Sequence, residues 1–394
     1  MSITFDYLII GGGMAADAAA KGIREFDDVG RIGIVGDDAD PPYTRPALTK
    51  KLWTDPEFNE DDNWLHTGTM TGATIMSATE IVSIDPDSHI VVSRDKKEFG
   101  YDQLLLATGG TVNTVDMPAS ERSIYFRTFA DYRALRRLSG YERQVAVIGG
   151  SYIGMELAAG LAQNNTQVTL IYPQPILGGD IFPEPLAQAM QADFGNREIR
   201  LLGNTRVESG SSAHDSTLLR FADGSEQRFD GVVSGLGITP RTALAQGAGV
   251  EINNGIVVDE QLRTNIRDIY AAGDVACYPD RILGRQRVEH VNNATSMGAT
   301  AGRIMAGSNE VYDHTPYYYS NVFDISWQAV GTLDSSLQTI ADWREPLQSG
   351  VIYYLRNDRV AGVLLWNLAD KLDAARAVLA DERPQDAATL KARI

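Results

Sequence analysis

The chain has 394 residues, enough for two or three domains with a buried core. Its 43% hydrophobic and 22% charged composition is that of an ordinary globular protein, and no run of about 18 apolar residues is present to span a bilayer. Against 52 Asp plus Glu stand 35 Lys plus Arg, a net charge of -17 that repels nucleic acid phosphate and anionic lipid, so no nucleic acid partner and no membrane span are expected.

The N-terminus, Met1-Ser-Ile-Thr-Phe-Asp6, runs straight into Tyr7-Leu-Ile-Ile10, leaving no room for a signal peptide, and a cytoplasmic location is expected. After this apolar strand comes Gly11-Gly-Gly-Met-Ala-Ala16, a G-x-G-x-x-A pattern that opens an Ala-rich helix. Gly11 permits the turn, Gly13 lets backbone approach a pyrophosphate, and Ala16 lets helix pack on strand. The next strand, Arg31-Ile-Gly-Ile-Val35, is followed by Asp37 and Asp38, either of which is spaced to accept from a ribose hydroxyl. Leu104-Leu-Leu-Ala-Thr-Gly-Gly110 is a further strand entering a glycine turn.

The same order then recurs. Gln144-Val-Ala-Val-Ile-Gly-Gly150, a helix over Met155 to Gln163 and the strand Gln167-Val-Thr-Leu-Ile171 form a second unit, whose turn Gly149-Gly-Ser-Tyr-Ile-Gly154 carries Ser151 in place of the middle glycine. Nearly continuous apolar strands around helices indicate parallel sheets covered on both faces, hence two Rossmann-type dinucleotide-binding domains in an α/β fold. Beyond that strand lies Tyr172-Pro-Gln-Pro-Ile-Leu-Gly178, with neither the carboxylate of an NAD domain nor the arginine of an NADP domain. Gln174 can hydrogen-bond a neutral ribose, and Asp180 and Glu184 oppose a 2′-phosphate, so NADH is favoured over NADPH.

Gly231 to Pro240 repeats the strand-to-glycine pattern, and Thr264-Asn-Ile-Arg-Asp-Ile-Tyr-Ala-Ala-Gly-Asp274 is an apolar strand ending on an acid. The last 80 residues or so change texture: strands at Tyr317–Phe323, Trp327–Thr332, Gly350–Leu355 and Arg359–Trp366, with Arg356-Asn-Asp-Arg359 as a hairpin turn and a helix over Asp370–Ala380, make a separate α+β domain. The single cysteine, Cys277, supports no internal disulfide or CxxC centre and is expected to be a packed residue. His66, His89, His214, His290 and His314 show no metal-ligand spacing, and no metal site is expected.

The Ala-Ala-Gly-Asp274 segment resembles the second flavin motif of glutathione-reductase-like flavoproteins, which assigns Asp274 to the ribityl chain of FAD. Within that superfamily the chain resembles apoptosis-inducing factor and the ferredoxin and rubredoxin reductases of bacterial oxygenase systems. The residues carrying the likeness are Leu8 to Ala16, Pro42-Tyr-Thr-Arg-Pro-Ala-Leu-Thr-Lys-Lys-Leu-Trp53, Arg287-Val-Glu-His290 and Asp334-Ser-Ser-Leu337. The resemblance implies an FAD domain over 1–113 and 246–314, an NAD(P)H domain inserted at 114–245, and a C-terminal α+β domain at 315–394.

Residue by residue, it places FAD against Gly11, Gly12, Gly13, Met14, Ala15, Ala16, Asp37 and Asp38, and against Ile81, Ala107, Thr108 and Gly109. Arg45 is assigned to the pyrophosphate and Lys50 to the isoalloxazine ring; Asp274, His290 and Val291 complete the set, with Tyr319 where the family often has Trp. NAD(H) is assigned to Gly149, Gly150, Ser151, Tyr152, Ile153, Glu156, Tyr172, Gln174 and Gly237, with Glu289 at the junction of the two rings. Lys50, Glu156, Tyr152 and His290 are the catalytic candidates: Tyr152 as a gate over the flavin, Lys50 and Glu156 as an ion pair joining two different domains. The implied activity is FAD-dependent NAD(P)H oxidation with electrons passed to an unidentified acceptor, a ferredoxin or a quinone among the candidates. The net charge of -17 argues weakly against an acidic ferredoxin, although a local patch around Arg281, Arg285 and Arg287 could still serve one. The alternative is a slow-turnover NADH-binding protein that changes its association state, as a homodimer, on flavin reduction.

Overall fold

The computed structural model describes residues 3–394. They form two compact units. One comprises the chain up to Arg45, Asn59–Thr111 and Ile238–Pro316; the other comprises Pro46–Phe58, Val112–Gly237 and Tyr317–Ile394.

In the first unit the strands Thr74–Met76, Ile32–Val35, Ile3–Ile10, Glu98–Leu106 and Ile269–Ala271 lie side by side and all parallel. The register pairs Ile10 with Val35 on one side and Leu106 on the other, so three strands end together beside the glycine turn. Leu8, Ile9, Leu104, Leu105 and Ala271 are wholly buried, as strands covered on both faces must be. The helix Met14–Arg24 packs on Val291–Met305 at backbone distance: a Cβ on Gly298 or Gly302 would collide with the carbonyl oxygens of Ala15 or Ala19, and one on Gly22 with that of Ala299. A hairpin, Ile81–Asp85 and Ile90–Ser93, extends the sheet antiparallel and was not evident from sequence.

The second unit repeats the pattern with Arg200–Leu202, Gln167–Ile171, Gln144–Ile148, Gly231–Ser234 and Ser123–Tyr125, again all parallel. A three-stranded meander over Val207–Phe229 is added to it. The C-terminal strands form an antiparallel sheet in the order Tyr317–Val322, Ile325–Gly331, Arg359–Trp366, Ser349–Arg356, Gln338–Glu345. Asn357 and Asp358 both have positive φ, 52° and 60°, which makes the expected hairpin turn of the I′ kind. Gln338–Glu345, an edge strand with a charged C-terminal end, was missed because its pattern is half-exposed on both faces.

The segment Pro46–Phe58 belongs to this second unit, so Lys50 and Glu156 lie in one compact body and not in different domains as the sequence suggested. Trp53 is the reason. Its ring lies against Gly160 of the helix Tyr152–Gln163, where an added Cβ would stand 3.0 Å from the indole, and edge-on to Tyr132 at 5.4 Å. Its carbonyl accepts from Asn164 at 2.9 Å, and the Arg136 guanidinium stands 4.8 Å over the indole.

Candidate functional site

The glycine turn of the first unit is built for a phosphate. Gly11 has φ +122°, and a Cβ there would drive into the carbonyl oxygen of Ala107, so only glycine permits the turn. Gly13 caps the helix Met14–Arg24 without any side-chain hydrogen bond, leaving first-turn N–H groups available to an anion. The Arg45 side chain lies 4.0 Å from the place of a Gly13 Cβ and stacks over Tyr43 at 5.3 Å, bringing a guanidinium to the turn. Gly273, at φ +80°, packs against the Ala15 methyl and so sets Asp274 at the start of the same helix. A backbone-lined turn, an open helix N-terminus, a guanidinium and a carboxylate in one place fit the pyrophosphate and polyol of FAD.

Asp37 is exposed and paired with Arg241 at 2.6 Å, while Asp38 accepts from the Tyr43 hydroxyl at 2.9 Å. The structure thus gives the two ribose candidates different partners, and Arg241, unsuspected from sequence, also binds Thr111 Oγ1 at 2.9 Å and caps the Ala107–Gly109 turn: its carbonyl accepts from Thr108 Oγ1, and its N–H donates to Gly109. Ile81 is buried at a strand start. His290 caps the helix beginning at Val291, and burial pushes its imidazole down to about 4, a shift that nearby Asp274 opposes. Glu289 pairs with Arg287 at 2.6 Å within this unit. Arg287 also donates to the Asp274 carbonyl at 3.0 Å, and Arg285 donates to the carbonyls of Val258 and Cys277 at 3.0 Å each. Two of the three arginines of the candidate basic patch thus also brace the backbone, Arg285 while remaining exposed and Arg287 half-buried.

In the second unit, Gly149 at φ +121° abuts the carbonyl oxygen of Gly235, and a Cβ on Gly154 would strike that of Gly149. Gly150 rests on the Tyr172 Cβ, and Ser151 caps the helix Tyr152–Gln163 without a capping hydrogen bond. The open helix N-terminus recurs, with Ile153 exposed beside it, so the turn fits a second dinucleotide. Gly237, at φ +78°, closes the neighbouring strand end and accepts from the Asn113 N–H at 3.0 Å. Gln174 donates to Asp180 at 2.5 Å. The Tyr152 ring lies 4.8 Å from Trp327 and 6.0 Å from Tyr318, in an aromatic cluster that a gate would have to leave.

Lys50 Nζ stands 2.7 Å from Glu156 Oε2, with the two side chains 16% and 2% exposed. Thr49 donates to the same oxygen at 2.6 Å and Ser320 to Oε1 at 2.6 Å, so a buried carboxylate is met by one cation and two hydroxyls. Lys50 also lies 5.2 Å over the Tyr319 ring, whose hydroxyl is pushed up by burial and by Glu156. The pairing was foreseen; Thr49 and Ser320 were not. Thr49 had a signal, being the neighbour of Lys50, whereas Ser320 sat unmarked in an aromatic strand.

Residues 5–298 match the model of the pyridine nucleotide-disulphide oxidoreductase family, and residues 342–381 match that of the C-terminal region of mitochondrion-associated apoptosis-inducing factor. Monodehydroascorbate reductase 3 of Arabidopsis thaliana is 30% identical over 97% of this chain and 93% of its own. A putative apoptosis-inducing factor 1 of Drosophila melanogaster is 27% identical over 96% of this chain, which spans 64% of that longer protein. Among solved structures, a covalent putidaredoxin reductase–putidaredoxin complex superposes with a TM-score of 0.88 at 25% identity, over 96% of this chain and 94% of the other.

Proposed function

Because the chain belongs to the pyridine nucleotide-disulphide oxidoreductase family and is an FAD-dependent NAD(P)H oxidoreductase, we propose that it is fed by NADH and serves a one-electron acceptor, not a disulfide. FAD, when bound, supplies the centre that takes a hydride from the nicotinamide and passes electrons on to the acceptor. The observation carrying the proposal is the lone cysteine. A dithiol relay needs two thiols; this chain has Cys277 alone, 4% exposed in the strand Ala276–Asp280.

The chain's own residues bind and orient. The Gly11–Gly13 turn, Arg45 and Asp274 hold the flavin nucleotide, and the Gly149–Ser151 turn holds the nicotinamide nucleotide. Lys50 is kept in place by Glu156, Thr49 and Ser320 as a fixed positive charge. Little proton transfer is asked of side chains, and His290, held neutral near pH 7 by burial, contributes shape and a neutral hydrogen-bonding edge. Relatives named for putidaredoxin and for monodehydroascorbate support a one-electron acceptor, with a ferredoxin as the first candidate and a quinone as the second. A cytoplasmic setting suits a chain that cannot form an internal disulfide.

The match to the apoptosis-inducing factor C-terminal model favours a second reading, a slow-turnover NADH-binding switch whose association state follows flavin reduction. Steady-state assays of the holoprotein with NADH separate the readings. Turnover of a ferredoxin or quinone with no turnover of disulfides, unchanged in Cys277→Ala, supports the reductase. Rapid reduction without turnover, accompanied by dimer formation in light scattering, supports the switch.

A further inference from the structure

A dinucleotide fold reads the 2′ position of its nucleotide just after its second strand, where a carboxylate accepts from a ribose hydroxyl or an arginine takes a phosphate. Here that strand, Gln167–Ile171, is followed by Tyr172, Pro173 and Gln174, none of them charged. Tyr172 is 2% exposed beneath Gly150, and its hydroxyl donates to Gln191 at 2.9 Å. Pro173 has no N–H. Gln174 Nε2 donates to Asp180 Oδ2 at 2.5 Å, and this bond brings a carboxylate back to the strand end across a loop. The other oxygen of Asp180 takes no hydrogen bond among the described residues.

The loop is fixed from its other side. Ser335 N–H donates to the Asp180 carbonyl at 3.0 Å and Ser335 Oγ to the Gly179 carbonyl at 2.5 Å. The Tyr354 hydroxyl donates to the Ile181 carbonyl at 2.9 Å. Phe182, wholly buried, meets Trp327 and Trp366 edge-on at 5.7 and 5.5 Å. An exposed aspartate is thus carried on a backbone held by the C-terminal sheet, an arrangement in which a side chain keeps its aim with little ordering cost on binding.

We propose that Asp180, tethered by Gln174, selects NADH by accepting from the 2′-hydroxyl of the adenosine ribose and repelling a 2′-phosphate, and that Ser335 is a positioning residue acting through it. The assignment rests on the reading of this unit as the NAD(H) site. Glu184, on the first turn of the following helix, adds a second negative charge against a phosphate and is itself engaged by Gln188 at 2.9 Å.

The test uses FAD-loaded protein and two probes that carry no nicotinamide, ADP-ribose and its 2′-phosphorylated form, titrated by calorimetry, with kcat/KM for NADH and NADPH alongside. Asp180→Asn is expected to weaken ADP-ribose and narrow the NADH-over-NADPH ratio, each by about tenfold, the scale of one charge-assisted hydrogen bond. Ser335→Ala is expected to narrow the same ratio by about threefold, with the change carried by KM, as for a residue worth part of that bond. A ratio indifferent to Asp180→Asn, while ADP-ribose still binds the parent protein, overturns the assignment and leaves the NAD(H) site standing. Absence of ADP-ribose binding to the parent protein would overturn both.

Discussion

Replacing Lys50 by Met and Glu156 by Gln, singly and together, measures what the buried ion pair contributes. Removing one member of a buried pair strands the other charge, at a cost of about 3 to 5 kcal/mol. Lys50→Met leaves Glu156, 2% exposed, with the Thr49 and Ser320 hydroxyls still donating at 2.6 Å, which puts the loss at the lower end, about 3 kcal/mol. Glu156→Gln leaves Lys50, 16% exposed, with some water and the Tyr319 ring, so about 2 kcal/mol is expected. In the double variant no charge remains to be stranded, and its cost should fall short of the summed singles by about 2 kcal/mol. Urea denaturation of the four FAD-loaded proteins by circular dichroism gives the cycle. Effects additive to within about 0.5 kcal/mol would show that the 2.7 Å contact contributes nothing and refute the reasoning.

Gly11→Ala forces a methyl into the Ala107 carbonyl and should yield protein without FAD, whereas Gly149→Ala, facing the Gly235 carbonyl, should keep FAD and lose reduction by NADH; flavin absorbance and anaerobic reduction check the two. His290 should make stability fall as pH drops from its ordinary 6.5 through about 4, because the unfolded chain takes a proton that the folded chain refuses. The full loss below that window is about 3 kcal/mol, and His290→Asn should remove it in denaturation series at several pH values. Tyr152→Gly should quicken reduction by NADH with FAD retained, and cost about 3 kcal/mol through lost packing on Trp327; unchanged reduction kinetics would dismiss the gate.

Both nucleotide units were legible because their signals are local. A strand of buried aliphatics, a glycine that must take positive φ and a small residue on the helix fall within about fifteen residues, and Gly11 and Gly149 show the same collision with a neighbouring carbonyl. The Lys50–Glu156 pair was legible for a different reason: each lies in a recognisable motif. What surrounds it was not, since Thr49 and Ser320 are ordinary hydroxyls until Trp53 docks on Gly160 and the C-terminal strand Tyr317–Val322 passes beside the helix. The same holds for Asp180, which reaches the nucleotide strand through one side-chain bond across a loop. The backbone bracing by Arg285 and Arg287 was not legible either, because charge read along a sequence says nothing of which carbonyls a guanidinium will meet.

Anaerobic stopped-flow mixing in two stages tests the central claim most directly. FAD-loaded protein is first mixed with one equivalent of NADH and then with an oxidised [2Fe–2S] ferredoxin or a quinone, while flavin absorbance is followed. The account predicts complete bleaching in the first stage, faster with NADH than with NADPH, and recovery in the second, with both stages intact in Cys277→Ala. Bleaching that recovers only when a disulfide is added, or a second stage abolished by Cys277→Ala, would contradict it.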